Sequence, residues 1–206
     1  MTGRVVILNG APRSGKSTIA RAMQSSLDGQ WMNLGVDAVM ATTPEEWRPG
    51  IGLRPGGERP DLEPIVLDLY RTLFASIAAL ARQGIDVVSD VGLHEGYSRP
   101  LHLLDEMAAA LSGFEVVLVG VRCPIETIMA RRNADRSGHY LGGAGIPEPV
   151  RRWQEAVHRP GLYDLEVDTS VLSSEDCAAE IAAVVHHPRT PRAVEILATR
   201  GPATPA

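Results

Sequence analysis

The sequence predicts an α/β fold, a doubly wound, five-stranded parallel sheet flanked by helices. Three observations carry this. Short, continuous apolar runs, the signature of strands buried on both faces, alternate with segments whose apolar residues recur every three or four positions. The first run leads into Gly10-Ala-Pro-Arg-Ser-Gly-Lys-Ser17, a glycine loop placed between a strand and a helix. The chain has 206 residues, 44% hydrophobic and 22% charged, enough core material for one domain and too apolar for global disorder.

The elements follow in order. Residues 4–9 hold Val5, Val6, Ile7 and Leu8 and form the first strand. Residues 16–27 carry Ile19, Met23 and Leu27 at helical spacing. A second strand is expected over 31–36, ending at Asp37. Residues 42–64 contain five prolines and four glycines, so they form an irregular excursion, which in a compact domain points to function. The stripe Ile65, Leu69, Leu73 and Ile77 marks a helix over 65–82, closed by Gly84 and followed by a strand over 85–90. A helix over 99–111, a strand over 115–121 and a helix over 125–133 come next. Residues 137–149 are a glycine-bearing loop, 150–158 a helix, 165–168 the fifth strand and 174–186 the closing helix. Residues 1–187 thus read as one domain, with a lid over about 131–149 and the excursion over 42–64. Residues 188–206, with four prolines and little apolar material, read as a weakly ordered tail.

Composition narrows the function classes. A net charge of −5 argues against a surface that coats nucleic acid, and no apolar run approaches the roughly 18 residues of a membrane helix. Neither nucleic acid nor membrane is therefore an expected partner. Cys123 and Cys177 suggest neither a zinc site nor a disulfide framework, and a reducing cytoplasm fits them. The first run is too short for a signal peptide. Of 20 basic residues 19 are Arg, and Lys16 is the single lysine. It stands where a compact ammonium, rather than a planar fork, is needed.

That position is inside the loop, which matches G-x-x-x-x-G-K-[ST] in full. Its glycines let successive N–H groups turn toward phosphate oxygens, and the following helix adds its positive end. Lys16 is placed to reach the β- and γ-phosphates, and the Ser17 hydroxyl to enter a Mg²⁺ shell. Gly10, Ala11, Pro12, Arg13, Ser14, Gly15, Lys16, Ser17 and Thr18 form the candidate nucleotide site, for ATP with Mg²⁺. With one lysine already used, the N-K-x-D loop of guanine-specific GTPases is absent, and the chain is short for a motor ATPase. A small kinase of the P-loop type remains, moving the γ-phosphoryl to an acceptor hydroxyl or phosphate on a small molecule.

In such sheets ligands sit beyond the carboxyl ends of the strands, where Asp37, Asp90 and Arg122 are expected. Asp37 is the candidate general base, or else an N-cap for the residues after it. Asp90 reads as a Mg²⁺-holding acid with Ser17, or as a turn residue before Gly92. Arg131 and Arg136 flank the lid and are candidates to meet the transferring phosphoryl group; Arg132 reads as a solvated helix position. His139, His186 and His187 read as surface residues and Trp31 and Trp153 as core or rim, while Trp47 in the excursion is placed to stack on an acceptor.

Ile7-Leu-Asn-Gly10, Ser14-Gly-Lys-Ser17, Gly35-Val-Asp37, Val119-Gly-Val-Arg-Cys123 and Tyr163-Asp-Leu-Glu-Val-Asp-Thr169 together resemble the chloramphenicol phosphotransferase family, over about residues 5–185. The resemblance implies an ATP- and Mg²⁺-dependent O-phosphotransferase acting on a small natural product, with Asp37 as the base; an antibiotic or other hydroxylated secondary metabolite is the expected acceptor, and Lys16, Arg136 and Arg131 remain the candidates at the phosphoryl group. The excursion over 42–64 does not share it, and Ser89-Asp90 stands where a pair of acids is expected. Two other readings stay open: a metabolic or toxin-type kinase of a nucleotide, sugar or cell-wall precursor, and a nucleotide-binding module without catalysis.

Overall fold

The computed structural model describes residues 2–134, 145–187, 190 and 192–200. Their strands are β1 (Val5–Asn9), β2 (Trp31–Asn33), β3 (Asp86–Val91), β4 (Val116–Arg122) and β5 (Leu165–Asp168). They form one parallel sheet in the order β2-β3-β1-β4-β5. Because β1 lies between β3 and β4, the chain reverses its winding there and opens a crevice at the carboxyl end of β1.

The helices are α1 (Lys16–Ser26), α2 (Val36–Thr42), α3 (Glu63–Arg82), α4 (Leu103–Ala110), α5 (Ile125–Ala134), α6 (Glu148–Ala156), α7 (Ser174–His186) and α8 (Ala193–Arg200). The two-residue period of β1 divides the core. Val5 and Ile7 face the side covered by α3, α4 and α8, whereas Val6 and Leu8 face α1 and α7. Helix α3 is long and apolar enough to cross a membrane by composition alone, with a mean hydropathy of 1.4. Its stripe of Val66, Tyr70, Leu73, Phe74 and Ile77 is instead buried against the sheet. Helix α7 begins with a reciprocal cap: Ser173 Oγ accepts from the Asp176 N–H while the Asp176 carboxylate takes the Ser173 N–H.

Three expectations change. The second strand stops at Asn33, and Asp37 lies inside α2 rather than at a strand end. The excursion is not wholly irregular, since 3₁₀ turns occupy Glu45–Trp47 and Gly50–Leu53 and α3 already starts at Glu63. The segment expected as a loose tail contributes α8, whose Ala193, Val194 and Leu197 are buried in the larger core. Polar bonds fasten it: Arg192 Nη1 donates to Val116 O (2.9 Å), and the Ala193 N–H to Asp164 Oδ1 (2.8 Å). Three small apolar contacts and two such bonds leave little trace in composition.

Candidate active site

The loop after β1 turns on two left-handed residues, Arg13 (φ 67°) and Gly15 (φ 100°), and the Ser14 N–H closes it onto Ala11 O at 3.1 Å. No side chain fits at Gly10, where a Cβ would stand 2.6 Å from Val121 O. Lys16 Nζ donates to Gly10 O and Ala11 O, both at 2.8 Å. Loss of water pulls its pKa down to about 8, against the opposing charges of Asp90 and Asp37.

A strut from the sheet edge holds this loop. Thr169 Oγ1, just past β5, donates to Ser14 O at 2.7 Å. Arg131 Nη1 donates to Arg13 O and to Thr169 Oγ1, both at 3.1 Å, and its Nη2 to Thr169 O at 2.8 Å. Arg131, expected to meet a phosphoryl group, is thus turned onto the loop's backbone. The other candidate, Arg136, lies outside the described residues, as does His139.

Asp90, next to last in β3, accepts a 2.5 Å hydrogen bond from Ser17 Oγ. Gly35 makes room for it, because a Cβ there would lie 1.7 Å from Asp90 Oδ1. This is the physical content of the glycine in Gly35-Val-Asp37. One hydroxyl and one carboxylate, both hard oxygen donors, fit Mg²⁺, which keeps several of its waters. Gly35, not Asp37, is the N-cap of α2, and no side chain caps that helix. Asp37 sits in its first turn, exposed, on the wall of the same cavity as the phosphate loop.

That cavity measures about 760 Å³. Of the expected nucleotide residues, Gly10, Ala11, Pro12, Arg13, Lys16 and Ser17 line it; Ser14, Gly15 and Thr18 do not. Ser14 is buried, and its Oγ has no hydrogen-bond partner among the described residues.

Several residues in and behind the wall were not assigned to the site from the sequence. Trp153 lies so close to Gly92 that a Cβ there would be 2.8 Å from the indole. The indole also meets the ring of His94 edge-on, centroids 4.9 Å apart. His94 is buried and neutral, its pKa pulled down to about 4 by desolvation. Its Nδ1 accepts from the Gly96 N–H (3.1 Å), which leaves Nε2 as the donor to Leu53 O (3.1 Å). Leu53, Arg54 and Tyr70 join the wall, as does Arg132, expected on a solvated face. Trp47, expected to stack on an acceptor, is 60% exposed and off this wall. Arg122 turns to Glu166 on β5 (2.5 Å) rather than into the crevice.

A family model described as chloramphenicol phosphotransferase-like protein matches residues 3–186. A Mycobacterium tuberculosis (strain H37Rv) protein carrying a provisional O-phosphotransferase name is 26% identical over 193 residues, covering 87% of this chain and 80% of its own. Among solved structures, the M. tuberculosis APS kinase in complex with AMPPNP and APS superposes with a TM-score of 0.57 and 21% identity, over 90% of this chain and 98% of its own. Shikimate kinase from Acinetobacter baumannii in complex with shikimate gives 0.57 and 13%, over 92% and 96%. Both likenesses are of fold.

Proposed function

The chain belongs to the chloramphenicol phosphotransferase-like family and is a phosphotransferase, and on that premise we propose that it moves the γ-phosphoryl of ATP to a hydroxyl of a small natural product of antibiotic type. One observation carries the reading: Lys16, Ser17, Asp90 and Asp37 share the wall of one cavity. Such a constellation suits phosphoryl transfer, where catalysis is mostly positioning and charge stabilisation.

In this reading the loop N–H groups and Lys16 bind and orient the triphosphate. Ser17 and Asp90 would hold Mg²⁺, which when bound would neutralise negative charge on the triphosphate. Asp37 takes the proton from the acceptor hydroxyl as its oxygen bonds to phosphorus and the bond to the ADP oxygen breaks. The first turn of a helix favours the ionised carboxylate that this needs. Arg132, already on the wall, and Arg136 are the arginines proposed to meet charge developing on the phosphoryl group. Arg131 acts through the loop it holds.

Purified protein supplied with γ-labelled ATP and a panel of hydroxylated antibiotics and metabolites transfers label to at least one acceptor and not to water alone. With that acceptor, Asp37→Asn lowers turnover by about 10²–10⁴-fold, while ATP affinity and melting temperature stay near wild type. A variant keeping more than about a tenth of its turnover would exclude Asp37 as the base.

A further inference from the structure

Resting on the kinase reading above, we infer that the acceptor is itself an acid: a hydroxylated compound whose carboxylate or phosphate is held by Arg54 while its hydroxyl faces Asp37. Among the described residues, four cationic side chains line the cavity: Arg13, Lys16, Arg54 and Arg132. Lys16 is committed to the phosphate loop, and Arg13 and Arg132 each hold an interaction already. The Arg54 guanidinium makes no hydrogen bond or ion pair with any described residue.

Its backbone, by contrast, is fixed on both sides. The Arg54 N–H donates to Ile51 O (3.0 Å), and the preceding carbonyl, Leu53 O, accepts from buried His94 (3.1 Å). Two residues on, the Gly56 N–H donates to Gly96 O (2.6 Å). Gly57 then passes Ser98 so closely that a Cβ would lie 2.9 Å from Ser98 N, and Glu58 pairs with Arg152 of α6 (2.5 Å). The segment therefore presents an exposed guanidinium, without a partner among the described residues, from a pinned platform, with Leu53 and Trp153 as apolar surface on the same cavity.

A ligand filling that cavity strips water from Arg54, and a desolvated charge without a counter-charge is costly. An oxyanion matches the guanidinium fork with two parallel bonds, which a neutral group cannot do without leaving the charge uncompensated. The acceptor thus has three parts: a hydroxyl for Asp37, an apolar body for Leu53 and Trp153, and an acidic group for Arg54.

The test offers matched sets of small hydroxylated ring compounds to the enzyme with Mg²⁺ and ATP. Each set contains a carboxylic acid, a phosphate ester and the neutral amide or alcohol, and ADP release is read above the Lys16→Ala background. The expected result is turnover of acidic members, with a KM about 10- to 100-fold below that of their neutral partners. Comparison of the two acidic arms tells carboxylate from phosphate. Arg54→Gln removes this preference while the KM for ATP moves by less than about twofold and the melting temperature holds; Arg54→Lys restores part of it. Turnover of neutral members alone, or a preference that survives Arg54→Gln, overturns the inference and leaves the kinase reading standing. Acceptor-dependent release from no acid overturns it as well, and the label-transfer screen decides the kinase reading separately.

Discussion

With its Nζ on two loop carbonyls and little water around it, Lys16 ionises near pH 8 instead of its ordinary 10.5. A bound triphosphate brings negative charge to this amine and raises its pKa again. At about pH 9, where roughly nine in ten free molecules hold Lys16 neutral, nucleotide binding takes up close to one proton. Near pH 6.5 the amine is already charged and uptake falls toward zero. Calorimetric titration with AMPPNP and Mg²⁺ in two buffers of different ionisation enthalpy measures this directly, and uptake below about 0.2 proton at about pH 9 would contradict it. The identity of Lys16 was plain in the sequence because motif and composition singled it out together. The place of Arg54 was not, because no period or motif says where an irregular segment comes to rest.

At the scale of elements, α8 departs most from expectation. Its removal uncovers the core side on which Leu111, Val116 and Leu118 lie and breaks the bonds of Arg192 to Val116 O and Ala193 to Asp164. Leu197→Ala alone is expected to cost about 2–5 kcal/mol, or roughly 4–20 °C in Tm at about 2–4 °C per kcal/mol. Truncation after residue 187 is expected to cost more. A truncated protein melting within about 2 °C of wild type would show that α8 adds nothing to stability. The sheet and its covering helices were legible, since continuous apolar runs and four-residue stripes report burial directly. Boundaries at β2 and α2 were not: Trp31, Met32 and Asn33 pair with β3, but Gly35 then opens a helix to clear Asp90. That clash is a long-range fact, invisible to local pattern. Trp153 illustrates the same limit, for its place follows from Gly92 and His94, some sixty residues before it in sequence.

At the scale of the molecule, two of the described histidines are held neutral at a pKa of about 4, both chiefly by desolvation: His94 behind the cavity and His158 against Tyr163 and near Arg122. Their folded values lie below the ordinary 6.5, so between about pH 4 and 6.5 the unfolded chain binds more protons. Stability is therefore fully present above pH 6.5 and is lost as pH falls through this window. The slope reaches at most about 2.7 kcal/mol per pH unit, less to the extent that water reaches His158. Urea midpoints of the free protein at intervals between about pH 4 and 7 measure it, and His94→Gln should flatten the curve. An unchanged slope in that variant would show that His94 takes no part. The chain order of the larger core has a consequence for biosynthesis. A chain made from its N-terminus folds as it emerges, and β1, β3 and β4 are complete well before α8 appears. Until then the face that receives Val194 and Leu197 stays open to water and to other nascent chains. A chain whose synthesis stops before α8 is thus left with an unfinished core, a substrate for chaperones rather than an enzyme.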